Sequence, residues 1–311
     1  MKTSLLLLCL AGVAWAQEPS AKQEPSAKQE SPVFKVDVQL VRLLATVKDT
    51  AGNLVGALEA SDFTVTDNGV PQEIAVFEHN TAQPLSITIL IDTSGSTAKD
   101  LKYETTSVLK FLSALVREGN PRDAVSLYSF SYDVTLIQPF TRRVSQVENN
   151  LKLLRPEGGT SLYDAVYLAA PPLRAREGRH VIVAMTDGGD TTSAKKYKDA
   201  LDAAQKADAV FYPVVVVPIT NPAGRNTGGE HALETLAAGT GGRAFYPSVG
   251  AELDRAFADI LRDLRTQYLL GYYPRGVAAG DGAFHPVRLE LPRRPDLRIS
   301  TRAGYYGEVS R

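Results

Sequence analysis

Between residues 85 and 265 the apolar positions fall into two alternating rhythms. Continuous apolar runs at 85–91, 124–130, 181–186, 210–217 and 243–246 read as strands, and the unbroken Val214-Val215-Val216-Val217 fits a strand covered on both faces. Between the runs stand amphipathic stretches with helical spacing. In the first, Leu101, Val108, Leu112, Leu115 and Val116 share mainly one face, while Lys102, Glu104, Lys110 and Glu118 point elsewhere. The stretches 161–173, 193–206 and 251–265 repeat that logic. Such alternation predicts an α/β fold, a doubly wound, mostly parallel sheet with helices on both faces, for a domain spanning 84–265. Residues 133–140 predict one extra edge strand ending near Pro139.

The flanks keep a different period. In an N-terminal β unit at 34–80, Val36, Val38, Leu40 and the run 43–47 alternate roughly, with a turn at 49–52. Phe63-Thr64-Val65-Thr66 then leads into Asp67-Asn68-Gly69, a hairpin signal, and 74–77 follows as its continuation. The C-terminal stretch 266–308 holds three strand-like runs, at 268–273, 284–291 and 297–301, separated by turns rich in glycine and proline. The N-terminal set is too short to close a sandwich alone. We therefore expect the two ends to pair into one small β-sandwich-like unit with the α/β domain inserted between them.

Ahead of these, residues 1–16 read as an export signal: Lys2, an apolar run at 5–13, and the small-x-small site Ala14-Trp15-Ala16. The run is far below the roughly 20 apolar residues that span a bilayer. The run at 210–219 is also too short and holds two prolines, so no transmembrane segment is expected in the mature chain. The expected location is extracytoplasmic, periplasmic or secreted. Residues 17–33 contain Gln-Glu-Pro-Ser-Ala-Lys twice and predict a disordered linker.

Composition narrows the picture further. The single cysteine, Cys9, leaves with the signal, so core burial alone must hold the mature chain together, and 44% hydrophobic residues over 311 positions suffice for that. A net charge of −1 gives no global field for nucleic acid or an acidic membrane, and neither is expected as a partner.

The candidate chemistry sits where strand signals end. Asp92-Thr93-Ser94-Gly95-Ser96 follows the first strand, Gly158-Gly159-Thr160-Ser161 opens the second helix, and Asp187-Gly188-Gly189-Asp190 follows the run at 181–186. In open α/β sheets, ligands bind at that carboxyl edge. Two aspartates and three hydroxyls, without nearby His or Cys, make a hard oxygen site suited to Mg²⁺ or Mn²⁺ and less strictly to Ca²⁺. Neutral hydroxyls leave the ion enough positive charge to take a partner's carboxylate. Each piece alone has a plainer reading: Ser96, Thr97, Thr160 or Ser161 as helix caps, and Asp187-Gly188 as a turn. Their joint occurrence, in order at three strand ends, favours the site.

Asp92-x-Ser94-x-Ser96, Thr160 in Gly-Gly-Thr-Ser and Asp187 in Thr186-Asp187-Gly188 together resemble the metal-ion-dependent adhesion site of von Willebrand factor type A domains, over about 85–265. The resemblance implies a divalent cation, most readily Mg²⁺, held by Asp92, Ser94, Ser96, Thr160 and Asp187. It implies that the serines bind directly and that the threonine and aspartates bind directly or through water. It also implies a non-enzymatic binding protein whose protein partner offers an acidic side chain. The flanking Asp62-Phe63-Thr64-Val65, Tyr268-Leu269-Leu270-Gly271-Tyr272 and Arg302-Ala303-Gly304-Tyr305 further resemble a bacterial group of exported proteins carrying this domain.

Around the motif, Asp164 is expected either to orient Thr160 or to stand as a solvated helix acid, and Asp190 and Asp123 read as surface or turn residues. Gly158 and Gly159 let the backbone approach the ion or take positive φ. The segment 218–229 reads as a mobile connection in preference to the alternative, a partner-facing loop. Enzyme readings lack parts. Asp92-Thr93-Ser94 departs from the Asp-Thr-Gly of aspartic proteases and has no second copy, no Gly-x-Ser-x-Gly exists, and His79, His180, His231 and His285 fall in unrelated places. Metal-assisted hydrolysis would need a general base beside the ion. The other alternative is a cell-envelope scaffold in which the ion is purely structural.

Overall fold

The computed structural model describes residues 40–79, 83–216, 227–277 and 282–307. The expected export signal at 1–16, the repeats at 17–33, Val36 and Val38, and most of the 218–229 connection lie outside the described residues. Four strands lead: β1 (Val41–Lys48), β2 (Thr64–Asp67), β3 (Val70–Gln72) and β4 (Ile74–His79). Asn68 and Gly69 turn β2 into β3 with φ of 49° and 80°, the consecutive left-handed pair a two-residue hairpin needs.

The middle of the chain alternates as expected: β5 (Leu85–Asp92), α1 (Leu101–Glu118), β6 (Ala124–Phe130), β7 (Val134–Thr141), α2 (Val144–Leu151), α3 (Leu162–Arg174), β8 (Arg179–Thr186), α4 (Tyr197–Lys206), β9 (Ala209–Val215), α5 (Thr227–Thr240) and α6 (Ala251–Thr266). The sheet order is β7-β6-β5-β8-β9. All neighbours are parallel except β7, the Pro139-containing edge strand, which runs antiparallel to β6. β5 and β8 are buried at every position because helices cover both faces. Ile87, Ile89 and Ile91 pack with Val108 and Phe111 of α1 and Phe257 of α6. Leu90, Ile182 and Ala184 face Val166 of α3, Ala204 of α4 and Leu236 of α5. Each such aliphatic side chain, fully buried, stabilises the fold by roughly 1.5–3 kcal/mol relative to exposure.

Four expectations need correction. Residues 243–246 form no strand; Phe245 alone makes a parallel bridge to Val214, because Gly241 turns the chain just before it and Pro247 cannot continue a ladder. The helix expected from Ser193 begins at Tyr197, since the N–H groups of Ser193, Ala194 and Lys195 are taken by the carboxylates of Asp190 and Asp164. Glu104, expected to point away from the core, is 1% exposed. Asp123 closes the turn after α1, its N–H on Asn120 O at 2.9 Å, as one of its two expected readings had it, but it is not at the surface: it is buried and accepts hydrogen bonds from Leu85 N and Asn120 N, both at 2.8 Å.

The chain closes with β10 (Tyr268–Tyr272), β11 (Phe284–Glu290), β12 (Arg298–Ser300) and β13 (Gly304–Tyr306). The two ends pair, as expected, into two antiparallel sheets ordered β12-β1-β10-β4 and β13-β11-β2-β3. Each mixes strands from both ends of the chain. Along β11 burial alternates strictly, as in a strand with one face on a core and one in water. Its inward Val287 and Leu289 join Leu43, Val65, Tyr268 and Leu270 in a separate apolar core. No helix among the described residues is long and apolar enough to cross a membrane.

Candidate metal centre at the carboxyl edge of the sheet

β5 delivers Asp92 to the carboxyl edge, fully buried. Its Oδ1 accepts from Ser94 N at 2.8 Å and its Oδ2 from the Thr186 hydroxyl at 2.6 Å, so the end of β8 and the loop after β5 grip one carboxylate. Ser94 Oγ and Ser96 Oγ lie 3.0 Å apart. Thr97 closes the turn by donating its hydroxyl to Asp92 O and Ser94 O, after which α1 begins.

The second loop runs alongside. Glu157 pairs with Ser94 and donates its N–H to Thr93 O at 2.7 Å, while its carboxylate accepts from the Ser131 hydroxyl at 2.8 Å. Three residues on, Thr160 N donates to the hydroxyls of Thr191 and Thr192, and Thr191 N returns a bond to Thr160 O at 2.9 Å. This lacing ties the second loop to the third. Gly159 makes the approach feasible: at φ +74°, a Cβ there would stand 2.9 Å from Tyr132 Cδ2 and 3.0 Å from Thr192 Oγ1.

Of the five expected ligands, Asp92, Ser94 and Ser96 are thus linked directly. Asp187 follows the clamping Thr186, and its charge acts on Asp92. Thr160 is placed through Glu157 and Thr191; among the described residues no hydrogen bond joins its hydroxyl to the other four. The plainer reading as helix caps finds no support at the N-cap positions themselves, since neither Asp100 of α1 nor Ser161 of α3 makes a side-chain cap bond. Ser161 instead donates to Tyr132 O. Asp92 and Ser94 form a buried floor, Asp187 is half-buried, and Ser96 is exposed at the rim.

The electrostatics are one-sided. Burial raises the Asp92 pKa to about 6, against the lowering bonds from Thr186 and Ser94, and Asp187 adds to the rise. Glu104, on the buried side of α1, is raised to about 8 by burial first and then by Asp92, Asp100 and Asp187. Among the described residues no Lys, Arg or His pairs with Asp92, Asp187 or Glu104, and Glu104 Oε2 has no hydrogen-bond partner. Nor do three His, Cys, Asp or Glu side chains converge there as a metal-binding group. A divalent cation fits this set: the carboxylates lack a counter-charge, and the added oxygens are the neutral hydroxyls of Ser94, Ser96 and Thr160.

The spacing of the motif did not disclose the supporting residues. Asp164 neither orients Thr160 nor is free in solvent; it accepts Ala194 N and Lys195 N at 2.9 and 2.8 Å. Asp190 accepts Tyr163 N at 2.9 Å at the start of α3. Their signal is position, Asp164 in the first turn of α3 and Asp190 in the loop after β8. The histidines stand elsewhere: His79 stacks on Tyr268, His180 binds Ala207 O and Arg176 O, His231 lies on α5 and His285 is in the sandwich.

Residues 86–258 match the sequence profile of the von Willebrand factor type A domain. No curated protein matches the chain in sequence. Among solved structures, it is similar to proximal thread matrix protein 1 from the mussel byssus (16% identity, 64% of this chain and 51% of that one, TM-score 0.50). It is also similar to BatB from Bacteroides thetaiotaomicron (19% identity, 58% and 100%, TM-score 0.47). A third is the PilB minor pilin from Streptococcus sanguinis (15% identity, 59% of this chain, TM-score 0.46), of which the chain spans 61%.

Proposed function

The chain belongs to the von Willebrand factor type A domain family, and on that footing we propose that it is an exported, non-enzymatic binding protein. It recognises a protein partner through a metal-ion-dependent adhesion site of Asp92, Ser94, Ser96, Thr160 and Asp187. The observation that carries this reading is Asp92: a fully buried carboxylate with no cationic partner among the described residues, repelled by Asp187 and aimed by Thr186 and the Ser94 backbone. A divalent cation, Mg²⁺ first and Mn²⁺ or Ca²⁺ next, would supply a coordination position open to a partner's carboxylate. The chain's own part is to hold Asp92 rigid, keep the hydroxyl ligands neutral and leave Ser96 accessible. Beside the site Tyr132, 66% exposed, covers Gly158 and Gly159 and offers an aromatic shoulder to a bound surface. The place of action is extracytoplasmic, after removal of residues 1–16.

The test is thermal unfolding in EDTA, Mg²⁺, Mn²⁺ or Ca²⁺, with Asp92→Ala and Asp187→Ala beside wild type. At about 100 times its dissociation constant, the ion stabilises by roughly 2.7 kcal/mol, and both variants should lose that shift. Envelope proteins are then captured on immobilised wild type and Asp92→Ala, in Mg²⁺ and in EDTA. Capture confined to wild type in Mg²⁺ supports adhesion. Equal recovery in all four samples overturns it and leaves an ion that only ties loops together.

A further inference from the structure

Glu104 lies one turn inside α1, its N–H bonded to Asp100 O at 3.1 Å. Its neighbours on the buried side of the helix are the apolar Leu101, Val108, Phe111 and Leu112 and one hydroxyl, Ser107, which donates to Asp254 Oδ1 at 2.7 Å, so the packing supplies no partner for a carboxylate here. The side chain is 1% exposed and its Oε2 is unpartnered. The charges that act on it are those of Asp92, of Asp100 at the N-cap position and of Asp187, all of its own sign. A carboxyl group so placed stays protonated near neutral pH unless a cation answers its charge.

We propose that Glu104 is a further member of the cation centre, a carboxylate that holds the ion's water shell from the α1 side and sets how tightly the ion is bound before a partner arrives. This rests on the cation reading of Asp92, Ser94, Ser96, Thr160 and Asp187. Direct ligation is not the arrangement, because among the described residues no three His, Cys, Asp or Glu side chains converge as a metal-binding group. Contact through water is the normal position of a supporting carboxylate and suits Mg²⁺, which keeps several of its waters. The charge count gives the consequence. Asp92 and Asp187 balance a divalent cation between them, and Glu104 leaves one negative charge in excess. The resting ion is therefore held more firmly, and its pull on an additional carboxylate is moderated. Neutralising Glu104 acts in opposite directions on the two ligands: the cation binds more weakly, and the loaded site welcomes a carboxylate more readily.

The experiment is calorimetric titration of Mg²⁺ and of Mn²⁺ into the EDTA-stripped, desalted full chain as wild type, Glu104→Gln, Glu104→Asp and Asp92→Ala, with metal-free thermal midpoints read alongside. Glu104→Gln should weaken both ions by roughly 10–100-fold, the usual scale for a supporting carboxylate, while leaving the metal-free midpoint at neutral pH little changed, because without the ion the buried carboxyl is protonated. Glu104→Asp keeps the charge and should recover part of the affinity. Glu104→Met, of similar length, repeats the test if the amide disturbs folding. Cation affinity in Glu104→Gln within about twofold of wild type overturns the role of Glu104, while loss of binding in Asp92→Ala alone leaves the underlying site intact. Absence of binding to wild type at millimolar ion overturns both.

Discussion

Burial holds the Asp92 carboxyl at a pKa of about 6 and that of Glu104 at about 8. Both rises oppose ionisation, so in metal-free protein each group's favourable share of stability is complete below its unfolded pKa, near 4, and is lost as pH climbs through the folded value. With EDTA present, Asp92→Asn should therefore be more stable than wild type at about pH 8, and its advantage should shrink as pH falls through about 6. Saturating Mg²⁺ should reverse the ranking at the higher pH, because only the ionised carboxylate binds the ion. Thermal midpoints of both proteins across pH, with and without the ion, test this; an advantage that ignores pH would show that Asp92 is not the titrating group. The gathering of Asp92, Ser94, Ser96, Thr160 and Asp187 at the carboxyl edge of the sheet was legible because oxygen-bearing residues recur in order where apolar strand runs stop. Glu104 was not, since a charged residue in a helix normally points to water and only the packing of α1 on the sheet reveals its burial.

At the level of elements, β5, β8 and β9 were legible because a strand covered on both faces must be apolar throughout. Helix α5 was not: Thr227–Thr240 is rich in glycine and alanine, and its apolar stripe is faint. The start of α4 was misplaced for a different reason, namely that the carboxylates of Asp164 in α3 and of Asp190 take the backbone N–H groups just ahead of it. Asp164 does so through Ala194 N and Lys195 N, holding the loop after β8, and Asp187 with it, against the start of α3. Asp164→Ala should cost about 1–2 kcal/mol, the scale for losing backbone bonds to a partly solvated charged acceptor. Amide exchange should quicken at Ala194 and Lys195 while the central strands keep their protection. Unchanged exchange at those two amides would mean that the loop holds itself without Asp164.

On the scale of the whole molecule, the sandwich and the candidate metal centre occupy opposite ends of the central sheet. Strands β5 and β8 begin near the sandwich, where Arg179 donates to Leu264 O just before β10, and they end at Asp92 and Thr186. Inside the sandwich, Asp67 is fully buried and accepts from Tyr272 at 3.0 Å and Tyr305 at 2.8 Å, with His285 Nδ1 at 3.3 Å. It thereby joins β2 to β10, β11 and β13, strands from both ends of the chain and from both sheets. Asp67→Ala leaves those donors buried without an acceptor and should cost roughly 3 kcal/mol. That corresponds to a midpoint about 6–12 °C lower in a chain of this class. Distant sites without shared partners add independently, so the Mg²⁺-induced shift should keep its wild-type size on the lowered baseline. Unfolding followed in EDTA and in Mg²⁺ measures both quantities at once. A folded Asp67→Ala protein without a cation shift would mean that the paired ends of the chain reach through the sheet to set the geometry of the metal edge.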